Sequence, residues 1–279
     1  MRIQPHKATV IGGLGFIGKA LVADLLSMGW DCWVPEREYR WPELRKDLGH
    51  VFYCAGLTAD YLDRPAATVE AHIGLLSKVL QSTHYTSFVY LSSTRLYDGL
   101  PTSALANENA EFSIIPMKSR HFYDLTKLTG ENLCHIMGRG RAKIARLSCV
   151  YDNTQDARGF LPELIRKLAC TAAGTEIRLA SSPYFARDYV HISDVVRALV
   201  SIATKGTHSV YNVASGQNLL NIELANWISI ICDRAILFDS LKMQKQPPHI
   251  DVQRLKVEFD WRAEDVLKKI EPWLRALSD

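Results

Sequence analysis

The sequence predicts an α/β fold in which helices cover a doubly wound parallel sheet, with a smaller lobe after it. Up to about residue 150, short apolar runs alternate with stretches of helical spacing, a pattern typical of successive βαβ units. Right-handed crossovers between parallel strands place helices on both faces of such a sheet. Beyond residue 152 the alternation loosens, which indicates a second, substrate-binding unit.

Residue spacing predicts the individual elements. Apolar, β-branched or aromatic runs predict strands at 8–11, 31–34, 51–55, 87–91 and 143–150. Apolar residues at three- and four-residue intervals predict helices at 16–29, 66–82 and 123–137. Further helices are predicted at 161–172, 192–202, 222–232 and 265–277, and strands at 176–179 and 210–214. We therefore expect a dinucleotide-binding domain of residues 1–152, to which 187–216 returns, and a lobe of residues 153–186 and 217–279.

Composition excludes several classes of protein. The 279 residues include 33 basic and 30 acidic side chains without a block of like charges, so we expect no nucleic-acid partner. No apolar stretch reaches the roughly 18–20 residues that span a bilayer, and no leader is visible, so we expect a cytoplasmic protein without membrane contact. The six cysteines lack CxxC spacing and the histidines lack metal-ligand spacing, which predicts buried thiols, a reducing compartment and no metal site.

A glycine-rich loop follows the first predicted strand and opens the first helix. Its sequence is Gly12-Gly-Leu-Gly-Phe-Ile-Gly18. Gly12 allows a tight turn, Gly15 lets the backbone approach a pyrophosphate, and Gly18 lets the helix pack on the strand. Phe16 and Ile17 begin the helix, whose unpaired N–H groups and positive dipole end favour phosphates. This context predicts a dinucleotide-binding site.

The end of the second predicted strand carries the residues that would recognise the ribose. Glu36 would accept hydrogen bonds from a 2′-hydroxyl and repel a 2′-phosphate, whereas Arg37 would favour the phosphate. We expect NAD or NADP, with a slight preference for NAD. The alternative is that both side chains are ordinary solvated loop charges.

Tyr123 and Lys127 lie four residues apart on a predicted helix and therefore share one face. A phenol ordinarily titrates near 10, and a nearby ammonium group lowers that pKa by stabilising the phenolate. Tyr123 can then act as a general acid or base, and Lys127 can also hold a ribose. The strand at 87–91 runs into Ser92 and Ser93, whose hydroxyls would reach a substrate oxygen at the carboxyl edge of the sheet. These residues predict a Ser-Tyr-Lys site for hydride transfer.

Six further motifs follow one another along the chain. They are Tyr53-Cys-Ala-Gly56, Leu91-Ser-Ser-Thr-Arg-Leu-Tyr97, Tyr123-Asp-Leu-Thr-Lys127, Arg146-Leu-Ser-Cys-Val-Tyr151, Arg187-Asp-Tyr-Val-His-Ile-Ser-Asp194 and Tyr211-Asn-Val-Ala-Ser-Gly216. With the glycine loop, this ordered set resembles the extended short-chain dehydrogenases/reductases, the NAD-dependent epimerase/dehydratase family of sugar-nucleotide enzymes, over nearly the whole chain. The resemblance implies a Rossmann-like sheet with a smaller C-terminal substrate lobe. It also implies a nucleotide-sugar substrate and a homodimer formed through the helices at 66–82 and 123–137.

The resemblance assigns residues to the cofactor and to catalysis. The catalytic hydroxyl of the family lies four residues before the position of Tyr97, which makes it Ser93, with Thr94 as its neighbour. The family's Tyr and Lys fall on Tyr123 and Lys127. The residues that the resemblance places along the cofactor, besides the glycine loop, are Cys54, Ala55, Gly56 and Ser148.

The resemblance also assigns Arg187 to the nucleotide diphosphate. A planar guanidinium suits this role because it meets two phosphate oxygens at once. The alternative is an ion pair of Arg187 with Asp188 or Asp194.

Three features depart from the family pattern. Only residues 37–49 separate Glu36 from His50, so the strand that usually carries an adenine-contacting aspartate is shortened or lost. Cys149 and Asn153 stand where the family has an asparagine and part of a Gly-Pro turn, so the substrate loop differs, and we assign both residues to it. Arg95, beside Ser93, faces either an anionic substrate group or solvent.

These observations predict an NAD(P)-dependent enzyme that acts on a nucleotide-activated sugar, as a 4-epimerase or a keto-sugar reductase. A 4,6-dehydratase is disfavoured, because such family members carry an acidic pair where Thr94 and Arg95 stand. One alternative is an NAD(P)H-dependent reductase of a non-sugar carbonyl compound, which a broad apolar pocket would favour. Another is a non-catalytic dinucleotide-sensing protein, a type that tends to lose the Tyr–Lys pair this chain keeps.

Overall fold

Strands and helices alternate along the chain, and the computed structural model describes residues 6–41, 47–81, 84–154, 157–243 and 245–277. The strands are β1 (Lys7–Ile11), β2 (Asp31–Trp33), β3 (His50–Tyr53), β4 (Ser87–Ser93), β5 (Leu105–Ala106), β6 (Ala142–Leu147), β7 (Cys149–Tyr151), β8 (Glu176–Leu179), β9 (Ala186–His191), β10 (Val210–Val213), β11 (Asn218–Leu220), β12 (Ala235–Phe238) and β13 (His249–Ile250). The helices are α1 (Phe16–Ser27), α2 (Pro65–Val69), α3 (Leu75–Leu80), α4 (His121–Met137), α5 (Phe160–Ala169), α6 (Ile192–Lys205), α7 (Asn221–Cys232), α8 (Gln253–Phe259) and α9 (Val266–Arg275). A π-helical turn, Glu70–Gly74, joins α2 to α3, and a 3-10 turn, Thr94–Tyr97, follows β4.

The central sheet confirms the predicted fold class. It contains six parallel strands in the order β10-β6-β4-β3-β1-β2. The chain adds β2 on one side of β1 and β3 on the other, so the direction of winding reverses at β1. Sheets of this kind bind ligands at the reversal, outside the carboxyl ends of the strands. The ends of β1, β3 and β4 are therefore the expected place for a site.

Apolar layers cover both faces of this sheet. Helices α1 and α6 cover one face, where Leu21, Leu25 and Leu199 are fully buried. Helices α3 and α4 cover the other face, against the buried rings of Tyr53 and Tyr90. A separate apolar cluster fills the lobe between α5, α7 and α9; it includes Leu161, Leu164, Leu224, Ile228, Ile270 and Leu274.

We propose a domain division close to the expected one, with one correction at α8. Residues from α5, α7 and α9 share the core of the lobe, whereas α6 and β10 belong to the sheet. Leu255 and Trp261, however, pack into the core of the sheet rather than the lobe. The Trp261 indole N–H donates to the carbonyl oxygen of Asp194 at 3.1 Å, which fixes this segment beside α6. We therefore propose that this segment belongs with the sheet, whereas the sequence analysis placed all of 217–279 in the lobe.

Two predicted elements are divided in the structure. The strand predicted at 143–150 is two strands, because β6 lies in the central sheet whereas β7 pairs with β9 in a separate three-stranded sheet, β11-β9-β7. The helix predicted at 66–82 is interrupted by the π turn Glu70–Gly74. The unpredicted elements are the short β5, β9, β11, β12 and β13, the 3-10 turn and α8.

Strand β2 forms the outer edge of the central sheet in the described part of the chain, as the short 37–49 segment led us to expect; residues 42–46 lie outside that part. The rings of Trp33, Tyr39 and Trp41 pack against one another beside this edge, with centroids 4.8–6.0 Å apart. Trp33 and Trp41 also pack against the core on the α3 side, together with Ala55 and Leu75. Aromatic rings thus cover apolar surface at the outer edge of the sheet.

The expected burial of the cysteines is wrong for two of the six. All six are free thiols, and Cys149 and Cys170 are exposed. Cys149 is the first residue of β7, directly after the break between β6 and β7, and this position at a strand end accounts for its exposure. Within the described residues no helix has the length and apolarity needed to cross a bilayer.

A buried ion pair connects α4 to the central sheet. Arg146 on β6 donates two hydrogen bonds to the Glu131 carboxylate, at 2.9 and 2.6 Å, and both side chains are almost fully buried. The Ser92 hydroxyl donates to the same carboxylate at 2.6 Å. Arg146 also donates to the Tyr97 hydroxyl at 2.8 Å, and this hydroxyl in turn donates to Asn212 at 2.7 Å. The network therefore joins α4, β4, β6 and β10 at the site edge of the sheet.

Replacement of Glu131 by leucine should lower the free energy of unfolding by about 3–5 kcal/mol, because Arg146 would remain buried without its partner. Glu271→Leu is the matched control, since its partner Arg275 is exposed; we expect a change below about 1 kcal/mol. Urea denaturation of both variants measures the difference. Equal, small losses in the two variants would contradict the role assigned to the buried pair.

Candidate active site

The glycine loop forms a tight turn between β1 and α1. Gly12 has a φ of +81°, which favours glycine, and a Cβ there would lie 2.7 Å from the backbone nitrogen of Ala55. A Cβ on Gly18 would lie 2.2 Å from the Gly12 carbonyl oxygen, so only glycine lets α1 approach the loop. Gly15 is the N-cap of α1 and provides no side-chain cap, which leaves the N–H groups of the first turn, at Phe16 and Ile17, free for a ligand. These features fit a dinucleotide pyrophosphate.

The turn after β3 connects the glycine loop to the helix that carries Lys127. The backbone N–H of Cys54 donates to the Ile11 carbonyl oxygen at 2.8 Å, and Ala55 is the residue that Gly12 packs against. A side chain at Gly56 would lie 3.4 Å from Lys127 Nζ. The turn at Cys54–Gly56, which we expect to line the cofactor, therefore lies between the glycine loop and α4.

Ser93, Tyr123 and Lys127 converge at the end of β4. The hydroxyls of Ser93 and Thr58 lie close enough to the Tyr123 phenol to lower its pKa. Lys127 Nζ lies 5.8 Å from the centroid of the Tyr123 ring and donates to the Leu91 carbonyl oxygen at 2.9 Å. Tyr123 and Lys127 are 3% and 5% exposed, so water has little access to either group. This arrangement can orient a substrate oxygen and transfer its proton.

Thr94 has a different role from its neighbour Ser93. Its hydroxyl donates to the Leu147 carbonyl oxygen at 3.3 Å and thus turns toward β6. Ser93 caps the 3-10 turn by accepting from the Arg95 N–H at 3.2 Å, and its own proton remains available for Tyr123. The geometry supports Ser93 over Thr94 as the catalytic hydroxyl.

Burial shifts the pKa values of Tyr123 and Lys127 in opposite directions. It raises the pKa of Tyr123, while the charge of Arg95 and the hydrogen bonds from Ser93 and Thr58 act against this rise. Burial lowers the pKa of Lys127 to about 8, although the negative charge of Glu131 acts in the other direction. Lys127 is therefore mostly charged at neutral pH and loses its proton under mildly alkaline conditions.

A chain of hydrogen bonds through His72, which we call the His72–Thr126 relay, ends at the backbone carbonyl oxygen of Tyr123. The sequence analysis did not predict it. The Leu57 N–H donates to His72 Nε2 at 3.2 Å, so the ring proton is on Nδ1, which donates to the Thr126 hydroxyl at 2.8 Å. Thr126 donates in turn to the Tyr123 carbonyl oxygen at 2.9 Å. Burial and the charge of Lys127 lower the pKa of His72 to about 3, so the ring stays neutral. The sequence places His72 only within the helix predicted at 66–82, and nothing in its spacing indicates the contact with Thr126.

Arg187 is packed against two phenylalanine rings. Its guanidinium carbon is 4.3 Å from the ring centroid of Phe185 and 4.8 Å from that of Phe160. Its Nη1 atom is buried and has no hydrogen-bond partner among the described residues. Burial of an unpaired guanidinium nitrogen costs free energy. A bound anion would lower this cost by accepting a hydrogen bond from it.

The expected alternative, an ion pair of Arg187 with Asp188 or Asp194, is not observed. The Asp188 carboxylate accepts instead from the backbone N–H groups of Ser215, Gly216 and Gln217, and burial raises its pKa to about 6. Asp194 pairs with Arg197. Both acids are therefore engaged elsewhere.

Arg95 lies within the site and does not project into solvent. Its guanidinium carbon is 4.7 Å from the ring centroid of Tyr123 and 5.4 Å from that of Tyr61. A cation over an aromatic face is attracted by the ring's quadrupole. The solvent alternative for Arg95 is therefore wrong.

The remaining predicted site residues lie apart from the Ser93–Tyr123–Lys127 group. Glu36 and Arg37 are exposed on the loop after β2. Ser148 lies beside the Asp188 carboxylate, between β6 and β7. Cys149 and Asn153 are exposed at and just after β7. No described contact joins Glu36, Arg37 or Asn153 to the Ser93–Tyr123–Lys127 group, so their assignments stay predictions.

Comparison with known proteins places the fold and site in one family. The model of the "NAD dependent epimerase/dehydratase family" matches residues 8–214, most of the chain. The chain belongs to this family, whose members are enzymes of the extended short-chain dehydrogenase/reductase type, and the predicted resemblance is confirmed.

Individual relatives are distant but span most of the chain. A dTDP-4-dehydro-6-deoxy-D-allose reductase from Streptomyces sp is 25% identical, and the alignment covers 90% of each chain. The structure of RMD from Pseudomonas aeruginosa complexed with NADPH has a TM-score of 0.76 at 23% identity and covers 98% of this chain and 100% of its own. The UDP-glucose 4-epimerase of Thermotoga maritima, solved with UDP-glucose, has a TM-score of 0.74 at 19% identity and covers 97% of each chain. At these identities the structural likeness shows the fold alone.

Replacement of Lys127 by methionine should change the pH dependence of stability. The folded pKa of Lys127 lies below that of an exposed lysine, so between about pH 8 and 10 the unfolded chain holds the proton more tightly. Stability conferred through this group therefore rises with pH across that window. We expect the free energy of unfolding of the wild type, relative to Lys127→Met, to rise by about 2 kcal/mol between pH 8 and 10.

Urea titrations at pH 7.5, 8.5 and 9.5 measure this difference. Lys205→Met, at the exposed end of α6, is the control and should follow the wild type. A flat difference between wild type and Lys127→Met would show that Lys127 is not a buried cation.

Proposed function

We propose that the protein is an NAD(P)-dependent enzyme that transfers a hydride between the nicotinamide and a carbon of a nucleotide-activated sugar, as a 4-epimerase or a keto-sugar reductase. The observation that carries the proposal is the convergence of Ser93, Tyr123 and Lys127 beside the glycine loop, at the reversal of the sheet. The activities for which the relatives are named, reduction of a dTDP-keto sugar and 4-epimerisation of UDP-glucose, support the same substrate class.

Each catalytic side chain has one task in this proposal. Ser93 donates a hydrogen bond to the oxygen on the reacting sugar carbon, and Tyr123 gives that oxygen a proton or removes one. Lys127, held by the Leu91 carbonyl oxygen, stabilises the Tyr123 phenolate and contacts the nicotinamide ribose. The His72–Thr126 relay keeps the backbone of Tyr123 in place. A bound nicotinamide would supply the hydride acceptor or donor.

Arg187 is assigned to the diphosphate of the substrate. Its position between two phenylalanine rings restricts the guanidinium plane, and the unpaired Nη1 can donate to a phosphate oxygen. This polar anchor favours a nucleotide sugar over a non-sugar carbonyl compound. The retained Tyr–Lys pair argues against a protein that only senses a dinucleotide.

Two further assignments complete the proposal. We place the enzyme in the cytoplasm, as a homodimer whose subunits meet through the helical regions 66–82 and 123–137. Apolar residues are exposed on both of these regions, with Val69 41% and Ile136 68% accessible.

Replacement of Tyr123 by phenylalanine should reduce turnover at least about 100-fold, because the proton donor and acceptor is removed. Binding of NADH or NADPH, followed by nucleotide fluorescence, should change by less than about threefold. Tyr85→Phe, at the opposite end of β4, is the matched control. The assay follows NAD(P)H absorbance with UDP-, dTDP- and GDP-linked 4-keto sugars, and sugar interconversion by chromatography.

Net consumption of NAD(P)H would identify a reductase, whereas interconversion without net consumption would identify an epimerase. Full activity of Tyr123→Phe with a sugar nucleotide would exclude the proposed mechanism. Absence of turnover and of nucleotide-sugar binding in the wild type would exclude the proposed substrate class.

The choice between NAD and NADP should depend on Glu36 and Arg37. We expect the wild type to bind NADH more tightly than NADPH, and Glu36→Ala to weaken NADH binding about tenfold, because a charge-assisted hydrogen bond to the ribose is lost. Arg37→Ala, the neighbouring control, should leave NADH binding unchanged and weaken NADPH binding. A strong wild-type preference for NADPH that Arg37→Ala abolishes would reverse this assignment.

A further inference from the structure

Two arginines in the cleft lack an acidic partner within the described residues. Arg187 has a buried, unpaired Nη1 atom. Arg95 is half-buried and contacts the rings of Tyr61 and Tyr123, but it forms no ion pair in the described part of the chain. A cation removed from water is usually paired with an anion. The cleft therefore carries two positive charges for which the described residues provide no ion pair.

The nearest acids to Arg95 are engaged by a third arginine. Arg120 Nη2 lies 2.8 Å from the Asp98 carboxylate and 3.6 Å from that of Asp124, and it also donates to the Arg95 carbonyl oxygen at 3.4 Å. The chain thus positions Arg120 between these acids while the Arg95 side chain extends over the Tyr123 ring. The Asp98 and Asp124 carboxylates are within electrostatic range of Arg95, but neither forms an ion pair with it, and a ligand carboxylate could therefore still meet its guanidinium.

Cys149 relates the two unpaired arginines to each other. Its thiol lies within electrostatic range of both the Arg187 and the Arg95 guanidinium groups, and of the Asp188 and Asp98 carboxylates. In the proposed function Arg187 meets the diphosphate, and Arg95 lies beside the reacting hydroxyl, over the Tyr123 ring. A substrate that spans both would carry a negative charge at each end.

We propose that Arg95 binds a carboxylate on the sugar, two bonds from the reacting carbon, so that the substrate is a nucleotide-activated uronic acid. This inference rests on the proposed function and specifies its substrate class. In a hexuronate the C6 carboxylate is attached to C5, the ring carbon next to C4, so an oxygen on C4 that meets Ser93 and Tyr123 brings the carboxylate near the Arg95 guanidinium over the Tyr123 ring. The planar guanidinium can meet both carboxylate oxygens. A neutral hydroxymethyl group at C6 would leave the Arg95 charge unpaired.

Calorimetric titration of the NAD⁺-saturated protein with matched nucleotide sugars tests this assignment. The pairs differ only at C6: UDP-glucuronate with UDP-glucose, dTDP-glucuronate with dTDP-glucose, and GDP-mannuronate with GDP-mannose. For the pair whose base fits the site, we expect the uronate to bind at least about tenfold more tightly. Arg95→Met should reduce this ratio to about one, and Arg95→Lys should retain part of it.

Two controls separate recognition of the carboxylate from general loss of binding. Arg187→Met should weaken both sugars of a pair while leaving their ratio unchanged. Arg178→Met, exposed on β8, should leave both affinities unchanged. Circular dichroism confirms that each variant is folded, and Arg95→Lys serves as the test if Arg95→Met is not.

The outcomes distinguish this inference from the proposed function. Equal affinity for the two sugars of a pair, with turnover of either, would overturn the uronate assignment and leave the proposed function standing. A preference for the uronate that survives in both Arg95 variants would also overturn it. An altered pH profile in Arg95→Met without a change in the ratio would show that Arg95 acts only on the Tyr123 phenol, again against the assignment. Failure of every pair to bind would overturn the proposed function and this inference together.

Discussion

The position of the candidate active site depends on the buried pair between Arg146 and Glu131. Glu131 lies one turn after Lys127 on α4, so the two hydrogen bonds from β6 and the one from Ser92 fix how far α4 can move along the sheet. A buried ion pair contributes little net stability, because desolvation offsets its attraction, but it penalises any register that separates the partners. The distance from Lys127 Nζ to the Leu91 carbonyl oxygen follows from this register.

The electrostatics of the site follow from the same constraint. Lys127 is a buried cation whose charge is favoured by Glu131, and a second charge on His72 is prevented by burial and by Lys127 itself. The Arg95 guanidinium carbon lies 4.7 Å from the centroid of the Tyr123 ring. Tyr123 therefore has two cations and a neutral histidine near it, in a region that water reaches poorly. Low dielectric strengthens each of these interactions compared with the same charges in water.

Spacing and motifs in the sequence predicted those parts of the protein that consist of consecutive residues. The strand–glycine loop–helix unit, the end of β4 and the Tyr–Lys face of α4 could all be inferred from spacing, because each is a feature of consecutive residues. The strands β9, β11 and β12 were missed because they pair with distant segments of the chain, as Leu219 pairs with Arg187. The His72–Thr126 contact joins residues 54 positions apart, and no periodicity encodes it. The orientation of Arg95 depends on Arg120 holding the nearby acids, which is likewise a tertiary effect.

The π turn between α2 and α3 has a consequence for insertions and deletions. A wider turn accommodates one more residue than the α-helix would, so the two halves of this helical region differ in phase by about 100°. His72 lies within the turn and faces Leu57 and Thr126, whereas Leu76 and Val79 beyond it face the sheet. Removal of one residue from 70–74 would give α2 and α3 the same helical phase. Either His72 would then rotate away from Leu57 and Thr126, or Leu76 and Val79 would rotate away from the sheet. The number of residues in this stretch is thus constrained as strongly as their identity, and homologous chains that share the relay should preserve the length.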